Sequence, residues 1–235
     1  IGWAARLHGV RCTIVVPHGN SREKNAAMRA LGVELIEHGE DFQASREEAE
    51  RLAEVRGAHM VPSFHPDLLL GVATYWLEFL SARPEIDVVY VPIGLGSGAC
   101  GAIAAREALG HRARVVGVIS RGARTYAESL ASGTVKSSPV TTHLADGMAV
   151  RQADPAALGI LARHLDHLVE VDETEVAESM SHLFTDTHNV AEGAGAAALA
   201  AALRERTSLQ GLTVGLALTG GNVDATLFAQ VLATH

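Results

Sequence analysis

The sequence predicts an α/β fold of two open, mostly parallel sheet layers flanked by helices. Three observations predict it. Short runs of β-branched residues alternate with helical stretches along all 235 residues, and such alternation implies right-handed crossovers and parallel strands. Aromatic residues make up only 4% of the chain, so aliphatic side chains must fill the layers. The two apolar runs 88–93 and 213–218 each break into small residues just before a helix, the pattern of a strand feeding a helix in a βα unit.

Taken in order, 1–8 reads as a helix with no cap before it, 12–16 as a strand, and 21–31 as a helix capped by Ser21. A strand at 33–37 is followed by an amphipathic helix at 41–56 with its charge on the outer face, and by a short strand at 58–62. A helix at 67–81 ends before Pro84; the buried strand 88–93 and a helix at 102–109 come next. Residues 115–119 form another buried strand, and 125–131 a helix closed by Gly133. The stretch 134–154 is the least regular, and Pro155 then opens a helix at the first position, where proline is favoured. A strand at 167–171, helices at 173–187 and 194–204, a strand at 213–218 and a last helix complete the chain. Charge-rich short units give way to longer apolar strands near Ser63, which divides the chain into a small α/β domain, 1–63, and a large one, 64–235.

The formal charge is −8 and no basic stripe occurs, which argues against nucleic acid or anionic membranes as partners. No apolar run reaches membrane-spanning length and no signal peptide is visible. Cys12 in a predicted strand and Cys100 at a glycine loop make neither a disulfide framework nor zinc spacing, so a reducing cytoplasm is expected. The 12 histidines are scattered; His164 with His167, and His182 with Asp186, gather fewer than three ligands, and no metal site is expected.

The richest segment is Val88-Val89-Tyr90-Val91-Pro92-Ile93-Gly94-Leu95-Gly96-Ser97-Gly98-Ala99-Cys100-Gly101. A strand, a glycine loop and a helix start offer free main-chain N–H groups and the positive end of a helix dipole to one anion. Side chains larger than that of Ser97 would block the approach to Gly94, Gly96 and Gly98. Gly96-x-Gly98-x-x-Gly101 also fits a dinucleotide fingerprint. The next strand ends in Ile119-Ser120-Arg121 without a carboxylate, which weakens NAD and leaves an NADP-binding oxidoreductase open through Arg121. A tight turn without a ligand is the plain alternative. Thr219 and Gly220 follow the last strand, at the end where open α/β sheets bind ligands, or form an ordinary loop. Glu192 stands alone among small residues, 189–196, either as a pocket carboxylate or as a cap of the next helix. Asp146-Gly147 signals a turn.

Together with residues 17–24 and Ala30-Leu31-Gly32-Val33-Glu34, these segments resemble, in order and spacing, the pyridoxal-phosphate enzymes of fold type II. That is the tryptophan synthase β family, here its serine/threonine dehydratase branch. The resemblance runs from residue 1 to about 224 and outweighs the NADP reading. It implies that Gly94, Leu95, Gly96, Ser97 and Gly98 cradle the phosphate of pyridoxal 5′-phosphate, where the family has a fuller run of glycines. It implies that Thr219, next to Gly220, faces the pyridine nitrogen, that Glu192 lines the cofactor pocket, and that Asp146 and Gly147 shape the loop beside the ring. A hydroxyl cannot force a proton onto that nitrogen, so the ring is a mild electron sink suited to elimination. The implied activity is loss of water from a β-hydroxy amino acid such as L-threonine or L-serine, giving a 2-oxo acid and ammonia, in a homodimer. A non-catalytic subunit of the same fold is the remaining alternative.

The chain has two lysines, Lys24 and Lys136, and neither lies in the family's Schiff-base motif, Ser-Phe-Lys followed by a basic residue and Gly. That motif and the substrate-carboxylate loop are expected upstream of Ile1, so the N-terminal part of the fold is expected to be missing. Ile119-Ser120 stands where many relatives carry Glu-Pro beside a divalent cation, and Val72-Ala73-Thr74 replaces a common Gln-Gly-Thr. The cation site is therefore expected to be absent or changed, and a substrate other than threonine is left open.

Overall fold

The computed structural model describes residues 1–234. They form two compact units, Ile1–Pro62 with Asn222–Gln230, and Ser63–Gly221 with the residues from Val231 onward.

In the first unit, β1 (Thr13–Val16) and β2 (Glu34–Glu37) pair in parallel, Thr13 opposite Glu34. Around them are α1 (Gly2–Leu7), α2 (Arg22–Ala30) and α3 (Phe42–Arg56). Ser21 caps α2 by accepting from the Lys24 amide, and Asp41 caps α3 by accepting from the Ala44 amide. Gly57 closes α3 in the left-handed region, φ 59°. The strand expected at 58–62 does not form. Among the described residues the sheet stops at β1 and β2, so these largely exposed peptides have no ladder to join and turn to water instead.

The segment 222–230 belongs with this first unit, whereas the sequence boundary put it in the large domain. The cause is electrostatic. The Asp224 carboxylate accepts from the Ser21 hydroxyl and from the amides of Arg22 (3.2 Å) and Glu23 (3.1 Å), the unpaired donors at the start of α2. The Ala225 amide returns a bond to Glu23 Oε1 at 2.8 Å.

The second unit holds a four-stranded, all-parallel sheet of β3 (Val88–Pro92), β4 (Arg114–Ser120), β5 (Leu168–Val171) and β6 (Val214–Leu216), in the order β5-β4-β3-β6. Its helices are α4 (Pro66–Ala82), α5 (Ser97–Leu109), α6 (Thr125–Ser132), α7 (Pro155–His164), α8 (Glu173–Thr187) and α9 (Gly193–Arg204), with a 3-10 turn at Asp146–Met148. The last helix is α10 (Ala225–Thr234). Every residue of β3 is buried, as a central parallel strand requires. The core joins Trp76, Leu80, Val89, Val91, Ile103 and Leu161.

Two details shape the carboxyl end of the sheet. The β3–β6 ladder ends at Tyr90 opposite Leu216, with the Ala217 amide reaching Tyr90 O at 3.3 Å. Ile93 still donates to Val118 on the β4 side at 2.8 Å, so alternation turns Pro92 toward β6. Proline has no N–H to lose there, and the two strands part without an orphaned donor. Secondly, α5 starts at Ser97, five residues before the expected 102. Low propensity is overridden by packing. A Cβ on Gly101 would lie 2.9 Å from Val72 Cγ1 and 3.3 Å from the Ala73 amide, so only glycine lets α5 close on α4.

Candidate cofactor site

The loop leaving β3 runs through Gly94 and Leu95 to Gly96, which takes φ 98° and caps α5 without a side chain. The Cys100 amide makes the first intrahelical bond, to Gly96 O at 2.9 Å. The amides of Ser97, Gly98 and Ala99 thus have no acceptor within the helix, at its positive end. Three contacts hold this geometry. Tyr126 donates its hydroxyl to Leu95 O at 2.6 Å and accepts from the Asp154 amide at 3.2 Å. The Trp76 indole donates to Gly98 O at 3.0 Å. Gly96 faces inward, since a Cβ there would lie 3.0 Å from Ala157 Cβ and 3.3 Å from the Tyr126 hydroxyl oxygen. Burial pushes the Tyr126 phenol up, which keeps it a donor. Burial also pushes the Cys100 thiol up, to about 12. Cys100 is therefore a packed residue of α5 and not a thiolate nucleophile.

Four of the sequence motifs converge around this loop. A Cβ on Gly94 would collide with the carbonyl oxygen of Gly147. One on Gly147 would lie 3.0 Å from Ala194 Cβ and 3.9 Å from Glu192 Oε1, and one on Gly220 would lie 2.6 Å from Glu192 Oε1. The Glu192 amide donates to Gly220 O at 3.0 Å. Glycine loop, 3-10 turn, start of α9 and end of β6 thus meet. Thr219 is exposed beside Gly220, just beyond β6, the neighbour of β3. Chain order runs from β3 to β4 and β5 on one side, while β6 lies on the other. Ligands of open parallel sheets bind at such a reversal, outside the carboxyl ends of the strands.

Glu192 is the N-cap residue of α9, where negative charge is favoured, although its side chain makes no capping hydrogen bond. Asp146 opens the 3-10 turn on the exposed side. The donor set suits a phosphate monoester, with main-chain amides and a helix dipole at one end and the Glu192 carboxylate against Gly220 and Gly147. A Cβ on Gly98 would make ordinary contacts with Val91 Cγ1 at 3.6 Å, Pro92 O at 3.8 Å and Tyr75 Oη at 3.9 Å.

The sequence model of the pyridoxal-phosphate dependent enzyme family matches residues 1–220. The chain belongs to this family. Within it, the L-threonine ammonia-lyase of Geobacter sulfurreducens is 36% identical over 235 residues, 99% of this chain and 58% of the relative. The catabolic L-threonine dehydratase of Escherichia coli K12 is 30% identical over 234 residues, covering 98% of this chain and 71% of the relative. The structure of maize serine racemase superposes with a TM-score of 0.88 at 26% identity, over 100% of this chain and 73% of that one. The chain spans 58% of the length of the curated L-threonine ammonia-lyases that it matches. Nothing in these likenesses supports the NADP alternative, and the Arg121 guanidinium that it needed pairs with Asp172 at 2.8 Å.

The sequence reading missed the residues that hold this family's glycine loop from behind, Trp76 and Tyr126. It also missed Glu173, in the first turn of α8. One carboxylate oxygen of Glu173 accepts from the Thr142 hydroxyl (2.9 Å) and from the amides of His143 (2.6 Å) and Leu144 (2.9 Å), fixing the strand of loop that leads to Gly147. Burial alone would push the Glu173 carboxyl up, but these donors outweigh it and hold it below the usual range. The signal was present in Asp172-Glu173-Thr174-Glu175. Asp172 and Glu175 complete a capping box, which leaves Glu173 free to serve another segment.

Proposed function

We propose that the protein containing this chain is a pyridoxal-phosphate-dependent ammonia-lyase. It removes water from a β-hydroxy amino acid such as L-threonine or L-serine and yields a 2-oxo acid and ammonia. The likeness to L-threonine ammonia-lyases supports the substrate class. The observation that carries the cofactor assignment is the meeting of Gly94, Gly147, Glu192 and Gly220 beside the open amides of α5.

In this reading the loop amides around Gly94, Leu95, Gly96, Ser97 and Gly98 hold the phosphate, with Gly96 serving the turn and its neighbours the ligand. Glu192 and Gly220 line the pocket, and Gly147 closes it against Gly94. When bound, pyridoxal phosphate supplies an electron sink for the pair released from the substrate's α-carbon. Thr219 would offer a hydroxyl to the ring nitrogen, and because its own proton is too tightly held to be transferred, that nitrogen would be hydrogen-bonded and uncharged. That favours loss of a β-substituent over transamination. Neither Lys24, on α2, nor the exposed Lys136 lies in a Schiff-base motif, and we place the reactive lysine outside these 235 residues. A homodimer in the cytoplasm belongs to the same proposal, supported by the family resemblance and by two unpaired cysteines.

The test is expression of the complete gene product. A yellow protein that releases ammonia from L-threonine or L-serine is expected. A colourless protein, or one inert toward every β-hydroxy amino acid, overturns the proposal.

A further inference from the structure

The glycine loop offers main-chain donors on one side, and the question is what meets the ligand from α4. Trp76 is 1% exposed and pins α4 to the first turn of α5 through its bond to Gly98 O. Its neighbour Tyr75 lies ring to ring with it, centroids 5.0 Å apart, yet stays 41% exposed. The Tyr75 hydroxyl reaches the same turn. A Cβ on Gly98 would lie 3.9 Å from Tyr75 Oη and 3.8 Å from Pro92 O. The Val91 side chain lies nearer still, 3.6 Å from that Cβ.

The Trp76 indole N–H is given to Gly98 O, and among the described residues no acceptor takes the Tyr75 phenol proton. Burial pushes Tyr75 up to about 12, so the proton stays on through any working pH. An O–H without an acceptor, at the helix turn whose amides also have none, is a donor set awaiting an anion. A phosphate monoester carries three acceptor oxygens, more than one helix turn can serve.

We propose that Tyr75 is a ligand of the cofactor phosphate, donating its hydroxyl beside the amides of Ser97 and Gly98; this rests on the cofactor assignment above. Hydrogen bonds to an ionised acceptor are the strong ones, and the phenol adds one without adding charge.

The test is Tyr75→Phe in the full chain, titrated with pyridoxal 5′-phosphate and, separately, with phosphate-free pyridoxal, following tryptophan fluorescence and visible absorbance. The phosphate form should bind about tenfold more weakly to the variant than to the wild type. Pyridoxal affinity and the cofactor-free melting midpoint should not move. Equal phosphate-form affinity in the two proteins overturns the inference and leaves the cofactor assignment standing. Equal losses for both ligands also overturn it, because they make Tyr75 a support of the fold alone. A wild-type chain that fails to bind pyridoxal 5′-phosphate overturns the assignment itself, and this inference with it.

Discussion

At the carboxyl ends of β3 and β6 the chain presents glycines, a threonine and main-chain amides; at the amino ends of the strands it presents arginines, carboxylates and a histidine. There Asp87 Oδ2 accepts from the Thr213 amide at 2.9 Å while Oδ1 pairs with Arg112 at 3.0 Å, tying the starts of β3 and β6. Arg114, opening β4, faces Asp166 at 3.6 Å. His167, before β5, bonds Asp166 at 2.7 Å and Glu205 at 3.1 Å, and the Tyr90 hydroxyl donates to Glu205 at 2.6 Å. Burial, then the Glu205 carboxylate, pushes the Tyr90 phenol up. At this end most side chains pair with one another, around a cavity of about 350 Å³ lined by Arg112, Arg114, His164 and Asp166, where His111 Nε2 is buried without a partner among the described residues. At the other end, small residues leave the amides open and hold the space by backbone contact. One sheet thus has an end built of charged side chains and an end built of main chain and small residues.

The comparison can be broken most severely at Gly94. Gly94→Ala sets a methyl against the carbonyl of Gly147, which is backbone and cannot swing aside. It should cost about 1–3 kcal/mol of stability and weaken pyridoxal 5′-phosphate binding at least about tenfold. Urea denaturation and cofactor titration would measure the two, and an unchanged affinity would remove Gly94 from the site. Next comes Tyr126→Phe, which leaves Leu95 O and the Asp154 amide unpaired behind the loop. A loss of about 1–3 kcal/mol is expected, again with weaker cofactor binding; a variant that binds normally would show that the loop holds its shape without this prop.

The smallest effect is expected at the amino ends of the strands. Burial lowers the His167 pKa, but Asp166 and Glu205 outweigh burial and raise it overall. The histidine then contributes stability that is fully present below its unfolded pKa, about 6.5, and is lost as pH rises through the higher folded value. With 38% of the side chain exposed, solvent screening limits this to about 0.5 kcal/mol. His167→Gln should flatten the dependence of melting temperature on pH above about 6.5 and leave cofactor affinity alone. A changed affinity would mean that the two ends are coupled through the sheet.

Much of this was readable in the chain. Buried strands at 88–93 and 115–119, Ser21 and Asp41 at helix starts, and Pro155 at a first helical position all follow from local chemistry that packing did not overrule. Residues 58–62 misled because an apolar run reads as a strand whether or not a partner strand lies beside it. The start of α5 misled because glycine and serine have poor helix propensity, and only the contact of Gly101 with Val72 makes them helical.

The sequence by itself determined the order of strands and helices and the places where a ligand could approach the backbone, since both are written in runs of neighbouring residues. The tertiary structure decided that Gly94, Gly147, Glu192 and Gly220 come together, that Asp224 joins the first unit, and that Trp76 and Tyr126 hold the glycine loop while Glu173 holds the segment before Gly147. Those facts depend on contacts between residues tens of positions apart, up to more than 200 for Ser21 and Asp224, and no local pattern of side chains encodes them.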